Sequence, residues 1–306
     1  MANSIEVILN ARSGSHRAEK TRPVIEKVLG ESGRSFQITV AAADAIGRIA
    51  RELAATDCDV LVAGGGDGTI RGVAKAAVQA GKTLGVLPLG TFNYFARNLG
   101  IPLELEAATK VILEGFPVPT PVFDLDGRFV LSNLSIGILP TVLLKRRRLY
   151  RRWGRNQLNA YLAVFLTAFQ VAPRMRLRLT AGDRELMRET PLLMICSNAF
   201  QMEAFQLTGT ECLVSGKFAV YVAHGTGRTI IFRLGSRALF RCLRPGLDYE
   251  VICASELTIE TLRRRQVRAV VDGELEKLES PMRFRIGSRP LYVLTPRERP
   301  RAENFG

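Results

Sequence analysis

The chain has 306 residues, of which 47% are hydrophobic and 24% are charged. This length exceeds that of a typical single domain, so two domains are expected, and the ordinary composition excludes a largely disordered chain. The net charge of +14 is compatible with a soluble protein that has an arginine-rich surface, or with an anionic partner such as a membrane, a nucleic acid or a phosphorylated substrate. Only two histidines are present, His16 and His224, which argues against a histidine-based zinc site and against a Ser-His-Asp triad.

The five cysteines are scattered along the chain and form no C-x-x-C pair. Their odd number and their apolar surroundings predict reduced thiols in a cytosolic protein. The first residues combine no basic stretch with a long apolar run, so we expect no signal peptide. These features together predict a cytoplasmic location.

The first third of the chain alternates short apolar runs with helical patterns. The predicted strands cover residues 5–9, 36–40, 59–63 and 83–87. One predicted helix ends near residue 29, and the others cover residues 43–55, 69–80, 91–98 and 104–114. This alternation predicts an α/β domain with a parallel sheet and helices on both faces.

The pattern changes after Pro117. Asp126 and Gly127 lie between two apolar runs, which is typical of a β-hairpin. From residue 177 to residue 295, most apolar runs are short and separated by Gly, Asp and Arg. We therefore predict a first domain over 1–128 and a β-rich, antiparallel, sandwich-like second domain over 129–290. Residues 291–306 are candidates to complete the first domain.

Residues 64–69, GGGDGT, follow a predicted strand and precede a predicted helix. They fail the dinucleotide fingerprint G-x-G-x-x-G, because the last position is Thr69 and no acid follows at the required distance. Gly81-Lys82-Thr83 imitates the end of a Walker A motif, but Ala76 replaces its first glycine. That segment also lies where a helix ends and a strand begins, which is the wrong polarity for a Walker A loop.

The third template for this stretch is G-G-D-G-T. Its glycines would allow a tight turn and would bring backbone N–H groups against phosphate oxygens. Thr69 would open and cap the following helix, whose N-terminus favours anions. A carboxylate beside phosphates is understandable if Asp67 holds Mg²⁺ or accepts a proton. A plain tight turn, with Asp67 as a turn former, is the alternative.

Three further stretches accompany G-G-D-G-T in a fixed order. Residues 10–14, NARSG, are similar to the loop N-P-x-S-G, and residues 88–97, PLGTFNYFAR, are similar to P-x-G-T-x-N-D-F-A-R. Asp272-Gly273-Glu274 is similar to a late D-G-E. In this order the four motifs resemble the diacylglycerol kinase catalytic-domain family, which includes bacterial lipid kinases, sphingosine kinases and ceramide kinases. NAD kinases and phosphofructokinases share the fold of its first domain.

The resemblance implies an ATP-dependent lipid kinase that uses Mg²⁺ and transfers the γ-phosphate to the hydroxyl of a diacylglycerol-like lipid. It implies catalytic roles for Asp67 and for Glu274 as the proton acceptor, and metal-binding roles for Asp67 and Asp124. The residues that it implies for nucleotide binding are Asn10, Ser13, Gly14, Thr39, Gly65, Gly66, Gly68, Thr69, Ile70, Arg71, Thr91 and Asn93.

The sequence departs from the family pattern at four positions. Tyr94 replaces the acid of G-T-x-N-D, Arg71 replaces a common asparagine, and Ala11 replaces the first-loop proline. Ser215 precedes Gly216 where relatives have D-G, the carboxylate of an auxiliary metal site in some of them. A catalytically weak nucleotide-binding or lipid-binding homologue therefore stays open, as does an NAD kinase-like phosphotransferase.

Residues 145–155, KRRRLYRRWGR, carry seven cations in eleven positions. As a helix this stretch could dock on anionic lipid head groups, with Tyr150 and Trp153 at the interface. A solvated basic face is the alternative. No nucleic-acid-binding module is recognised, so a nucleic-acid partner is not expected. We expect a lipid substrate and peripheral association with an anionic membrane, and a homodimer stays open.

Overall fold

A computed structural model describes residues 4–11, 18–153, 174–225 and 228–297. The chain divides into two compact units. The first consists of Met1–Val122 and Gly287–Gly306, and the second of Phe123–Ile286.

Within the described residues, the first unit contains a six-stranded sheet and five helices. The strands are β1 (Ser4–Asn10), β2 (Ser35–Ala41), β3 (Val60–Gly65), β4 (Thr83–Pro88), β5 (Phe116–Thr120) and β18 (Leu291–Thr295). The helices are α1 (Ala18–Gly30), α2 (Ile46–Ala54), α3 (Asp67–Ala80), α4 (Tyr94–Asn98) and α5 (Leu105–Glu114). The strand order is β2-β1-β3-β4-β18-β5, and every neighbouring pair is parallel except β18 with β5.

The central strands of this sheet are buried on both faces. All six residues of β3 are buried, as are the five inner residues of β1. Such continuous apolar runs are typical of a parallel sheet covered by helices on each side. In agreement, α2 packs against α3 and α1 packs against α5. The predicted α/β fold class of the first domain is therefore confirmed.

The described part of the second unit contains twelve strands in two antiparallel sheets. One sheet has the order β10-β9-β14-β17-β6-β7, and the other has the order β13-β12-β11-β8-β15-β16. The strands are β6 (Phe123–Leu125), β7 (Arg128–Val130), β8 (Asn133–Gly137), β9 (Met175–Ala181), β10 (Arg184–Thr190), β11 (Leu192–Cys196), β12 (Phe218–Ala223), β13 (Tyr249–Ala254), β14 (Glu256–Thr261), β15 (Gln266–Val271), β16 (Glu274–Glu279) and β17 (Met282–Ile286). The helices are α6 (Ile138–Trp153), α7 (Ala199–Ala204), α8 (Thr210–Val214) and α9 (Arg228–Leu239).

A shared apolar core joins the two sheets of the second unit. Phe218 of β12 packs edge-on against Phe284 of β17, with ring centroids 4.9 Å apart, and Phe284 stacks on Phe123 of β6. Because these rings come from both sheets, the sheets pack face to face, as the sequence predicted. The unit begins at Phe123 rather than after residue 128, because β6 pairs with β17 of the second unit.

The cysteines differ from expectation in one respect. Cys212 of α8 and Cys253 of β13 form a disulfide, with their Cα atoms 5.1 Å apart. Their separation of 41 residues conceals this proximity in the sequence, and it arises because α8 and β13 both contact β12. Cys58 and Cys196 are buried free thiols, whereas Cys242 is free and exposed. The expectation of five reduced cysteines was therefore wrong for this pair.

The basic stretch begins inside a helix, as predicted, since α6 continues through Trp153. Gly154 and Arg155 lie outside the described residues, as do Ser13 and Gly14. Within the described ranges, every helix is too short or too polar to traverse a lipid bilayer.

Candidate nucleotide-binding site

Three neighbouring parallel strands bring the first unit's candidate residues to one sheet edge. Asn10 ends β1, Gly65 ends β3, and the segment with Thr91 and Asn93 follows β4. Because β1, β3 and β4 are adjacent and parallel, their carboxyl ends share an edge, which is where open α/β sheets bind ligands.

Close packing, rather than an unusual backbone conformation, explains two of the loop glycines, Gly64 and Gly65. Gly64, Gly65, Gly66 and Gly68 all lie outside the left-handed region, so a positive φ is not the reason for glycine at these positions. A Cβ atom on Gly65 would lie 2.4 Å from the Oγ1 of Thr69, inside contact distance. The loop glycines thus allow β3 to pass directly into α3.

Gly90 and Gly66 mark a close approach between two loops. A Cβ atom on Gly90 would lie 2.5 Å from the Cα of Gly66 and 2.7 Å from the Oδ1 of Asn93. Gly68 differs, because no heavy atom lies within 4 Å of the position that its Cβ would take. The backbone at Gly68 is exposed at the start of the 14-residue helix α3. It therefore offers room for an anion at a helix N-terminus.

Thr69 connects the loop to β1 instead of capping the helix. The helix begins at Asp67, its N-cap is Gly66, and no side chain caps it. Thr69 is thus the third residue of α3, and its buried Oγ1 accepts a hydrogen bond from the Nδ2 of Asn10 at 2.9 Å. The capping role predicted for Thr69 was wrong, because the helix starts two residues earlier than expected.

Asn93 fixes the loop that follows β4. Its backbone is left-handed, with a φ of 52°, and its side chain is buried. The Oδ1 accepts the N–H of Gly90 at 2.9 Å, while the Nδ2 donates to the carbonyl oxygens of Gly90 at 2.9 Å and Pro88 at 3.2 Å. Both N–H donors of the amide are engaged within the loop. The side chain of Asn93 therefore positions the loop.

Asp67 links the first turns of two helices. It is the first residue of α3, and its Oδ1 accepts the N–H of Phe95 in α4 at 3.1 Å. Burial raises the pKa of this carboxyl, while hydrogen bonds from the backbone of Phe95, Tyr94, Asp67 itself and Asn93 act in the opposite direction. A partly desolvated carboxylate held by main-chain donors is well suited to receive a cation.

The other first-unit candidates lie around this edge with different exposure. Thr39 is half-buried within β2, opposite Ile8 of β1, and not at the end of the strand. Ile70 is fully buried, and its N–H donates to the carbonyl of Gly66 at 3.0 Å. Arg71 is half-buried one residue further along α3, and Thr91 is exposed.

An aromatic pair flanks Asn93. The rings of Phe92 and Tyr94 stack with centroids 5.5 Å apart and planes that differ by 1°. Phe92 is 44% exposed. Where relatives carry an acid, this chain therefore carries a stacked aromatic ring.

The remaining candidates belong to the second unit. Asp124 lies in β6, where its Oδ1 accepts from the Nε of Arg285 at 3.1 Å. Glu274 is the exposed first residue of β16. Ser215 follows α8, and its hydroxyl donates to the carbonyl of Cys212 at 2.8 Å. Among the described residues, no cluster of three or more His, Cys, Asp or Glu side chains is arranged to hold a metal ion.

Sequence reasoning missed the role of Asp272. Asp272 and Gly273 form the two-residue turn between β15 and β16, with φ values of 48° and 81°, which is the type I′ pattern. The buried carboxylate of Asp272 accepts the N–H groups of Leu131, Ser132 and Asn133 at 2.7, 2.8 and 3.0 Å. The dipeptide Asp-Gly between two apolar runs was the signal for this turn, but nothing in the sequence indicated the partners of the carboxylate.

Comparisons with known proteins agree with the loop motifs. Residues 4–125 match the family model described as "Diacylglycerol kinase catalytic domain". A "Probable lipid kinase YegS-like" from Klebsiella pneumoniae (strain 342) is 38% identical over 103 residues, which are 33% of this chain and 34% of that protein. In that alignment the chain spans about a third of the relative's length.

Two longer matches cover both units. A protein named "Diacylglycerol kinase" from Staphylococcus haemolyticus (strain JCSC1435) is 25% identical over 310 residues, which are 97% of this chain and 90% of that protein. A crystal structure of a diacylglycerol kinase from Bacillus anthracis str. Sterne has a TM-score of 0.71 and 17% identity, and covers 97% of each chain. At this identity the structural match shows a shared fold.

The family model covers the first unit except for its last strand, β18. It starts at β1 and ends in β6, and so includes Asn10, the glycine loop and the loop after β4. Residues 4–125 of this chain therefore belong to the diacylglycerol kinase catalytic-domain family.

Proposed function

We propose that this protein is a lipid kinase that transfers the γ-phosphate of ATP to the hydroxyl of a diacylglycerol-like lipid, with Mg²⁺ as the metal. The observation that carries the proposal is the open backbone at Gly68 beside the half-buried carboxylate of Asp67, at the N-terminus of α3. The match of residues 4–125 to a kinase family supports the same conclusion.

The loop geometry fits a triphosphate. The first backbone N–H groups of a helix have no partner within the helix, and the helix dipole favours an anion there. Gly68 adds no side chain at this end of α3, and no heavy atom lies within 4 Å of its Cβ position, so phosphate oxygens can approach the backbone there directly. Thr69 is held by Asn10, which keeps the first turn in place.

The donor set also fits Mg²⁺. Protein sites for this ion often supply only one or two carboxylates and leave the other positions to phosphates and water. Asp67 can supply one such carboxylate. When bound, the ion would neutralise charge on the transferring phosphoryl group.

The protein has to position the two reactants and to accept one proton from the lipid hydroxyl. The acceptor oxygen forms a bond to the γ-phosphorus as the bridging P–O bond breaks, and ADP leaves with that electron pair. The hydroxyl proton passes to a carboxylate, for which we propose Glu274. This assignment depends on the similarity of residues 272–274 to the family's D-G-E.

The acceptor class is consistent with the charge of the chain. A lipid substrate lies in a membrane, and a net charge of +14 favours anionic surfaces. The basic stretch that begins at Lys145 continues α6 and could supply part of this attraction. We therefore propose a protein that associates peripherally with the cytoplasmic face of a membrane.

The test is a transfer assay with γ-labelled ATP, Mg²⁺ and diacylglycerol in mixed micelles. We expect label in the lipid fraction, and we expect Asp67→Ala and Glu274→Gln to lower its rate by about a hundredfold or more. Omission of Mg²⁺ should abolish transfer.

Two results would contradict the proposal. Label transferred to NAD but to no lipid would indicate an NAD kinase-like enzyme instead. Equal and very slow ADP release by the wild type and by Asp67→Ala, over a panel of lipids, would indicate a binding protein without catalysis.

A further inference from the structure

Helix α9 in the second unit presents an aromatic side chain away from its packed side. Ile230 is buried and packs with Leu234, one turn later, and with Ile138 of α6. Phe232 follows Ile230 by two residues, which is about 200° around the helix. The side chain of Phe232 is 60% exposed, although phenylalanine side chains are usually buried.

The segment after α9 continues this exposed apolar character. Phe240 is 76% exposed and Leu247 is 48% exposed. Arg241 and Arg244 lie between them and are also exposed. We call these five side chains, Phe232, Phe240, Arg241, Arg244 and Leu247, the α9 surface.

A buried carboxylate holds the segment in place. Asp248 is fully buried, and both its oxygens accept from the Nη1 of Arg237 at 2.7 Å. The same carboxylate accepts the N–H of Arg244 at 3.0 Å, and the Nε of Arg233 lies 3.5 Å away. Asp248 therefore anchors both the last turns of α9 and the segment that follows them. Their apolar side chains are exposed on a backbone that these contacts hold in place.

The end of α9 keeps an arginine where glycine is the usual residue. The N–H of Cys242 donates to the carbonyl of Arg237 at 2.8 Å, and the N–H of Arg241 donates to that of Ala238 at 3.2 Å, which is the Schellman pattern. Arg241 occupies its left-handed position, with a φ of 52°. A side chain is unfavourable there, so the local fold alone does not explain the cation.

We propose that the α9 surface docks on an anionic lipid bilayer. Phe232, Phe240 and Leu247 would enter the interfacial region, while Arg241 and Arg244 would contact the phosphates of head groups. The proposal rests on the proposed function in one respect, because a lipid kinase has to meet its acceptor at a membrane.

Charge decides between the possible occupants of this surface. Residues 228–248 contain five arginines and one acid, Asp248, which is buried and pairs with Arg237, so Arg241 and Arg244 leave the α9 surface positively charged. In a two-fold dimer the same patch would face itself, so a second copy would bring like charges together. A bilayer that contains anionic lipid offers both the complementary charge and an apolar layer for two exposed phenylalanines.

Cys242, which follows Arg241 of the α9 surface in the sequence, provides a reporter. It is exposed, whereas the other free thiols of the described residues, Cys58 and Cys196, are buried. An environment-sensitive fluorophore on Cys242 of the full chain would be mixed, without nucleotide, with vesicles of phosphatidylcholine alone or of phosphatidylcholine with phosphatidylglycerol. We expect a blue shift with the mixed vesicles, weakened by salt, and a much smaller one with phosphatidylcholine. Cys242→Ser shows the labelling background.

Sedimentation of the unlabelled protein with the same vesicles tests the individual side chains. We expect Phe232→Ser and Phe240→Ser each to weaken binding about tenfold, because each removes apolar area from the contact. Arg241→Gly should weaken it about fivefold without lowering thermal stability, because glycine suits the left-handed backbone. Arg241→Lys keeps the charge, and Met187→Ser removes an exposed apolar side chain from β10, so both should bind like the wild type.

Three outcomes would overturn the inference. The first is the absence of both a spectral change and sedimentation with anionic vesicles. The second is unchanged binding by Phe232→Ser, Phe240→Ser and Arg241→Gly. The third is a wild-type dimer in solution that Phe240→Ser converts to a monomer, which would make a second copy the occupant. Since binding is measured without nucleotide, it can fail while lipid phosphorylation in micelles persists, and the reverse also holds.

Discussion

The glycine loop shows how one residue type can serve two purposes within a few positions. Gly65 and Gly90 are required because a methyl group at either position would meet atoms less than 3 Å away. Gly68 has no such neighbour, so its lack of a side chain is not explained by packing. Substitutions at Gly68 and Gly90 should therefore separate ligand binding from folding.

Gly68→Ala should stabilise the protein and impair its function. The substitution adds a methyl group in open space and replaces glycine inside a helix, so the free energy of unfolding should rise by about 0.5 kcal/mol. The same methyl group would obstruct phosphate oxygens at the helix N-terminus, and nucleotide affinity should fall about tenfold or more. Chemical denaturation and nucleotide titration measure the two effects.

Gly90→Ala is the matched comparison. Its methyl group would meet the Cα of Gly66 and the amide of Asn93, so the free energy of unfolding should fall by about 1–3 kcal/mol. If instead Gly68→Ala binds nucleotide as well as the wild type does, the phosphates do not lie against that backbone.

Asp67→Asn should abolish lipid phosphorylation without loss of stability. Because burial raises the pKa of Asp67, ionisation of this carboxyl at neutral pH opposes folding. The amide removes that charge and can still accept the N–H of Phe95. Thermal melting at pH 7 should give a midpoint that is unchanged or up to about 3 °C higher.

The pH dependence of the same pair gives a second measurement. A carboxyl with a raised pKa contributes stability below its unfolded-state pKa and loses that contribution as the pH rises through its folded-state pKa. The melting midpoints of the wild type and Asp67→Asn should therefore converge on acidification. A midpoint well below that of the wild type at pH 7 would show that the carboxylate mainly stabilises the fold.

At the level of elements, the β15–β16 hairpin carries both the predicted catalytic acid and a structural one. Glu274 is exposed at the start of β16, whereas Asp272 is buried in the turn before it. Three consecutive backbone N–H groups, from Leu131 to Asn133, donate to the carboxylate of Asp272. The turn therefore fixes the chain that enters β8.

Asp272→Ala should lower the free energy of unfolding by about 3 kcal/mol or more, because it leaves buried N–H groups without an acceptor. Asp126→Ala is the control, since Asp126 begins the corresponding turn between β6 and β7 but accepts only at an exposed site, from the N–H of Arg283. That variant should lose about 1 kcal/mol or less. Similar losses in the two variants, measured by urea denaturation, would contradict the structural role of Asp272.

The elements were largely predictable from local patterns, whereas several contacts within the site were not. Apolar runs located β3, β4 and β11, and Asp-Gly located the β6–β7 turn, because period and turn chemistry are local properties. The start of α3 was placed at Thr69 and not at Asp67, since four glycines obscure a helix boundary. The close approach of Gly66 and Gly90 brings together two loops that are separate in the sequence, which no local pattern reports.

At the level of the whole molecule, the first unit is built from two distant parts of the chain. Strand β18 lies between β4 and β5, and it pairs with β5 from Leu291 to Thr295. Leu291 and Val293 are fully buried. The sequence suggested that the end of the chain could return to the first domain, but the position of β18 inside the sheet was not predictable, because strand order depends on long-range pairing.

A fragment of residues 1–122 should therefore fail to fold cooperatively, because β5 would lack its partner and the first unit would lose the four buried side chains of β18. The same fragment joined to residues 287–306 by a flexible linker should regain a cooperative thermal transition. Near-ultraviolet circular dichroism and melting curves distinguish the two. A cooperative transition for 1–122 alone would show that β18 is dispensable.

The disulfide of the second unit was missed for a related reason. Cys212 and Cys253 are separated by 41 residues, and they meet only because both elements contact β12. Their spacing in the sequence gives no indication of this contact. The prediction of reduced thiols is confirmed for Cys58, Cys196 and Cys242.

The interior position of β18 also dictates an order of events during biosynthesis. A ribosome delivers β1 to β5 early, yet the sheet that they form keeps a gap until the residues of β18 emerge. Throughout that interval the edges of β4 and β5 lack the strand that lies between them, so the sheet of the first unit stays incomplete until the last part of the chain is made. The half that is translated first is consequently the one that is completed last.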